Sequence, residues 1–126
     1  MKPLSLISLL FFLLMLFPVL TNACDIIVSI EGPKKEIYKA GEVVVVKITV
    51  VLKHRNCDVN INETAIKVSG SQITGATKWI NIEGKTWERK IKVKVLGDKS
   101  NQSLITAERT CDRDGGKGSL ILATSN

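Results

Sequence analysis

The chain has 126 residues, and its 18 Lys and Arg exceed its 12 Asp and Glu, which gives a net charge of +6 at neutral pH. Hydrophobic residues make up 44% and charged residues 24% of the sequence, and a chain of this length is expected to form one small domain with a single hydrophobic core. One histidine, His54, and three cysteines are too few, at the wrong spacing, for a His- and Cys-ligated zinc site or for His-based nucleophilic catalysis.

A secretory signal peptide is predicted over residues 1–23. Lys2 precedes an apolar run from Leu4 to Leu20, and Ala23 stands at a cleavage-like position before Cys24. The apolar run is slightly short for a transmembrane anchor. Cleavage there leaves residues 24–126 as one domain, with 17 basic side chains against 12 acidic ones and a net charge of about +5. We therefore expect a secreted or extracytoplasmic protein, located in the periplasm or at the cell surface if the source is bacterial.

The most β-prone stretch of the mature chain is Glu42–Leu52. Its density of Val, Ile and Thr favours a strand over a helix, because branched side chains fit a pleated, half-buried surface. Alternate residues are uniformly apolar, which predicts that they face the core of a central strand: Val44, Val46, Ile48, Val50 and Leu52.

Shorter strands are predicted on both sides of this one. An edge strand over residues 25–31 ends at Gly32-Pro33, and a strand around residues 72–82 contains Gly75, which indicates a bulge. The turn Glu83-Gly84-Lys85 leads into a strand in which apolar residues alternate with lysines. Further strands are expected at 64–68, 103–110 and 119–123, with a glycine-rich turn at 112–118. About seven or eight strands and no convincing helix predict an all-β, two-sheet antiparallel sandwich.

The arrangement of Tyr38, then Gly41-Glu42, then alternating apolar residues resembles bacterial immunoglobulin-like sandwich domains. The resemblance covers about 15 residues. It implies immunoglobulin-like topology over residues 24–126, and it carries no functional residues.

The cysteines predict one disulfide in an exported protein. Cys57 and Cys111 both lie beside polar turns and form the natural pair, although free thiols are the alternative. Cys24 is then left over. It matches a bacterial lipoprotein signal only in Ala23-Cys24, so lipid attachment and ordinary signal cleavage both remain open.

A search for catalytic chemistry gives no candidate set, and we expect no enzyme, no cofactor and no metal. His54 is interpreted as a solvated turn residue. Asp58, Asp112 and Asp114 supply oxygen ligands that calcium prefers, but their spacing is a fragment of a calcium loop. Asp-Gly sequences chiefly form tight turns, which is the favoured interpretation.

Two surface features are candidates for binding. Lys90, Lys92 and Lys94 form a basic comb on one strand face, which Lys47 extends; it either keeps the strand soluble or meets an anionic polymer. Of the two tryptophans that bracket the Glu83-Gly84 turn, alternation assigns Trp87 to the core and leaves Trp79 exposed.

The expected function is a non-enzymatic interaction or structural module with a protein partner in the cell envelope or medium and no nucleic acid partner. Its recognition surface is predicted at the end that carries the two cysteine loops, with Arg55, Asp58, Asp112, Arg113 and Asp114. The alternative is a small secreted ligand-binding or inhibitor protein that uses an anionic glycan or calcium. Asn62 and Asn101 are glycosylation acceptors in a eukaryotic secretory route, and the membrane enters only through a lipid anchor on Cys24.

Overall fold

The computed structural model describes residues 24–52, 60–97, 99–110 and 115–125. This part of the chain is all-β, as predicted, with nine strands and a single 3-10 turn at Ile61–Glu63. The strands are β1 (Cys24–Ile30), β2 (Tyr38–Lys39), β3 (Val43–Leu52), β4 (Ala65–Ser69), β5 (Ser71–Ala76), β6 (Ile80–Glu83), β7 (Thr86–Val95), β8 (Gln102–Arg109) and β9 (Gly116–Ser125). Within the described ranges, no helix is long and apolar enough to cross a membrane.

The strands form two sheets. Sheet 1 has the order β1-β3-β7-β5, and β6 pairs with the N-terminal half of β7 beside β5. Sheet 2 has the order β2-β9-β8-β4. All neighbouring strands are antiparallel, as predicted, except β2 and β9, whose short pairing is parallel. As expected, β3 is a central strand and β1 is an edge strand.

One hydrophobic core lies between the two sheets. Val46, Ile48 and Val50 of β3 are fully buried, as the alternation predicted, while Leu52 is half-buried at the strand end. The remaining fully or almost fully buried apolar side chains of the central strands are Ile91, Val93, Val95, Ile105, Ala107 and Leu122. Each fully buried Val, Ile or Leu side chain contributes roughly 1.5–3 kcal/mol to folding, so the core dominates the stability of the domain.

The chain passes from sheet 2 to sheet 1 at Gly70, between β4 and β5. Gly70 has φ +74°, and a Cβ at this position would lie 2.6 Å from the carbonyl oxygen of Gln102. A glycine is required here both for the left-handed backbone and for the close approach. The Ser71 and Ser103 hydroxyls are hydrogen bonded to each other, and Ser103 also donates to the Ser69 carbonyl at 3.1 Å, which holds the corner together.

The beginning of β9 differs from the predicted turn at 112–118. The strand starts at Gly116, because Gly116 and Gly118 belong to its core-facing side, where the backbone of β1 passes directly over them. Any Cβ at these two positions would collide with the carbonyl oxygens of Cys24 and Ile26. The glycines therefore permit close packing between the sheets and do not form a turn.

Bulges interrupt the pairing of β5 and β6 with β7. The register shifts between Ile73 and Gly75, which confirms the bulge predicted near Gly75. A second shift lies between Asn81 and Glu83. It places Trp87 opposite Asn81, whereas an unshifted register continuing from the Glu83–Thr86 pair would place Trp87 opposite Ile82.

Candidate functional site

Most residues of the predicted recognition surface lie outside the described residues. They are Arg55, Cys57, Asp58, Cys111, Asp112, Arg113 and Asp114, together with His54. The Cys57–Cys111 disulfide and the polar patch that was expected around it therefore stay predictions. In the described part of the chain, no group of three or more His, Cys, Asp and Glu side chains is arranged to hold a metal ion.

The described residues that flank the two cysteine loops lie together. Leu52, the last residue of β3, pairs with Cys24, and the Cys24 carbonyl packs against Gly116. Gly116 in turn pairs with Arg109, the last residue of β8. Segments 53–59 and 111–114 are thus connected to the same end of the two sheets, where β1 and β9 begin and β3 and β8 end. We call this end the loop end.

A buried arginine holds the loop end together. Arg109 is only 1% exposed, and its Nη1 donates hydrogen bonds to Thr64 Oγ1 at 2.7 Å and to the Asn60 carbonyl at 3.2 Å. Thr64 Oγ1 donates to the Ile61 carbonyl at 2.8 Å. The Asn60 side chain caps the 3-10 turn by accepting from the Asn62 amide at 2.9 Å. These bonds connect Asn60, which follows segment 53–59, to β8, the strand that precedes segment 111–114.

The sequence interpretation missed Arg109, although a signal for it exists. Arg109 shares the alternation of Ser103, Ile105 and Ala107, all of which are fully buried. A charged side chain at the end of a core-facing series needs internal hydrogen-bond partners, and Thr64 is one of them.

The three predicted lysines lie on the outer face of sheet 1. In the register between β3 and β7, Lys90 is opposite Lys47, Lys92 is opposite Val45 and Lys94 is opposite Val43. Lys92 and Lys94 are exposed, while Lys47 and Lys90 are half-buried. We call the surface formed by Lys47, Lys90, Lys92 and Lys94 the lysine face.

One acidic side chain contacts the lysine face. Glu31 forms an ion pair with Lys90 Nζ at 2.5 Å, at a position where both side chains are solvent-accessible. The hydrogen bond to Glu31, assisted by its charge, raises the pKa of Lys90 above its ordinary value. Among the described residues, Lys47, Lys92 and Lys94 form no ion pair.

Trp87 lies on the predicted face of its strand, whereas Trp79 is less exposed than expected. Trp79 is half-buried and packs against the core, and the Arg89 guanidinium lies 5.9 Å from its ring centroid. Arg89 Nε donates to the Thr77 carbonyl at 2.8 Å, which fixes the guanidinium beside the ring. Trp87 shares the core-facing side with its partner Val50, but it is only half-buried. The expectation of a freely exposed Trp79 is therefore not met.

Cys24 is the first residue of β1 and is only 1% exposed, with a free thiol. A lipid linked through its sulfur would have to leave the core at this point. Lipid attachment at Cys24 stays a prediction.

The margin between the sheets carries two open grooves of about 310 Å³ each, one on either side of the segment that precedes β2. Tyr38 is shared by both grooves, and its hydroxyl accepts a hydrogen bond from the Lys35 amide at 2.9 Å. Glu42 accepts from Lys35 Nζ at 2.7 Å and from the Lys39 amide at 2.9 Å. These bonds lower the pKa of Glu42, with the Lys35 hydrogen bond as the largest cause.

No protein-family model matches the chain, and searches of curated proteins and of solved structures found no match either.

Proposed function

We propose that this chain is a non-enzymatic, extracytoplasmic interaction module with immunoglobulin-like architecture, which presents its loop end to a protein partner. The observation that carries the proposal is the Arg109 anchor, which joins the flanks of both cysteine loops through Thr64 and Asn60. Loops that are held by a rigid scaffold are where binding residues concentrate in proteins of this kind.

The rest of the described fold supports recognition by a surface over recognition in a deep pocket. The space between the sheets is filled by side chains that are fully buried, and the grooves at the margin are open. A domain of this kind offers its partners strand faces and loop ends.

Crosslinking tests which end binds. A photo-crosslinking amino acid is placed at Thr110, an exposed residue of the loop end, or at Lys99, an exposed residue between β7 and β8 at the opposite end. After irradiation in the native envelope or medium, we expect one discrete crosslinked protein from the Thr110 position and none from Lys99. Equal crosslinking at both positions would contradict the assignment.

Thiol counting tests the disulfide that is expected to close this end. In the mature, unreduced protein, we expect no rapid thiol labelling of the folded state, because Cys24 is buried. Unfolding without reductant should expose one thiol, and reduction should expose all three. Three thiols without reductant would eliminate the Cys57–Cys111 bond. The intact mass of the same sample reports both cleavage after Ala23 and any lipid on Cys24.

A further inference from the structure

The lysine face lies on two interior strands of sheet 1. β7 is paired with β3 on one side and with β5 and β6 on the other, and β3 is paired with β1 and β7. Outward lysines protect an edge strand from pairing with another chain, but neither of these strands has a free edge along the lysine face. Protection of an edge therefore does not explain the four lysines.

The register between β3 and β7 places like charges next to each other, which does not stabilise the fold. Lys47 and Lys90 are directly opposite each other on adjacent strands, and like charges in this relationship are destabilising. The outer face of sheet 2 avoids such pairs, because Lys117 lies opposite Glu108 and Lys67 lies opposite Thr106. The concentration of positive charge is thus a property of sheet 1 alone among the two outer faces.

The four ammonium groups of the lysine face lie along a narrow strip of the sheet surface. Alternate residues of a strand are roughly 6.7 Å apart, so Lys90, Lys92 and Lys94 span roughly 13 Å, and Lys47 lies on the strand roughly 5 Å away. Lys92 passes over Gly75, where a Cβ would be 3.9 Å from Lys92 Cδ, so no side chain shields it on that side. An extended chain can lie along this strip and contact several ammonium groups.

The residues around the strip favour one kind of anionic partner over a membrane or a nucleic acid. The same face of the sheet continues into an acidic half, with Glu88 opposite Thr49 and Glu83 opposite Thr86. A planar anionic membrane would meet both halves, whereas a single polymer chain can follow the basic half. No aromatic side chain lies on this face in the register of β1, β3 and β7, and single-stranded nucleic acids need such side chains for base stacking. We propose that the lysine face binds one chain of a linear anionic polysaccharide.

Charge reversal on the lysine face tests this proposal directly. The probe is a fluorescently labelled heparin fragment, and binding to the purified mature protein is measured by fluorescence anisotropy at low and at physiological ionic strength. For Lys92→Glu with Lys94→Glu, we expect binding at least about 100-fold weaker than wild type. The matched control, Lys67→Glu with Lys117→Glu, changes the net charge equally on exposed strand positions of sheet 2 and should stay within about threefold of wild type.

A gain of affinity provides an independent test. Glu31→Gln removes the ion-pair partner of Lys90, and we expect the heparin fragment to bind several-fold more tightly to this variant. A folding defect in the lysine variant cannot produce such a gain. Vesicles of phosphatidylserine and phosphatidylcholine serve as the membrane probe and should bind more weakly than the polymer per negative charge.

Three results would overturn the proposal: equal losses in the two charge-reversal variants, unchanged affinity after Glu31→Gln, or vesicle binding that exceeds polymer binding. The lysine face is distinct from the loop end, so each of these results leaves the proposed protein-binding function standing.

Discussion

Replacing Thr64 by valine isolates the hydrogen bond that supports the loop end. Thr64 is 6% exposed, and its Oγ1 accepts from the Arg109 guanidinium at 2.7 Å. A hydrogen bond to a charged group contributes about 1.5–3 kcal/mol, while the added methyl group returns at most about 0.8 kcal/mol. The Ile61 carbonyl keeps its bond to the Thr64 amide at 3.1 Å, so little is lost there. We expect Thr64→Val to lower the free energy of unfolding by about 1.5 kcal/mol, which corresponds to a melting temperature about 6–12 °C lower.

The assay is equilibrium unfolding in urea, with thermal melting as a second measure. Thr106→Val is the matched control, because Thr106 is a half-buried β8 residue whose hydroxyl lies 3.4 Å from that of Ser119 on the outer face. The control should change stability by less than about 0.5 kcal/mol. Thr64→Val should also reduce crosslinking from position 110, since the flanks of both loops lose their common support. Equal stability of the two variants would show that Thr64 does not hold Arg109.

Two further substitutions test the turns. Gly70→Ala should lower the free energy of unfolding by about 2–4 kcal/mol, because it combines φ +74° with a Cβ only 2.6 Å from a carbonyl oxygen. Gly84→Ala, with φ +52° and open space around it, should lower it by about 1 kcal/mol. Equal losses of stability in urea unfolding would refute the collision at Gly70. Glu42→Gln tests the ion pair with Lys35, which lowers the pKa of Glu42 below its ordinary value of 4.5. The resulting stability is present above that value and is lost as the pH falls through the lower pKa of the folded state. The glutamine variant should therefore lose less stability than wild type between neutral pH and about pH 3, and an equal loss in both proteins would contradict the assignment.

The local part of the fold could be predicted because alternation along a strand is a property of the chain itself. Side chains two residues apart share a face whatever lies opposite them, so the buried series of β3 and the alternation of apolar residues and lysines in β7 were identified without any knowledge of pairing. The turn at Gly84 and the bulge near Gly75 follow from the conformational freedom of glycine, which is equally local.

The candidate sites depended on contacts between distant parts of the sequence. Alternation assigns Arg109 to the inner face, but only the packing of the 3-10 turn against β8 supplies Thr64 as its partner, 45 residues away. The glycines that begin β9 have the sequence pattern of a turn, but they belong to a strand because the backbone of β1 lies across them.

The lysine face shows the same division most clearly. The sequence predicts that Lys90, Lys92 and Lys94 point to one side of a strand, because side chains alternate with a period of two residues. The interior position of this strand and the pairing of Lys47 with Lys90 follow only from the folded arrangement of the sheets. Strand order and register are set by the burial of both sheets in one core, which no single strand encodes.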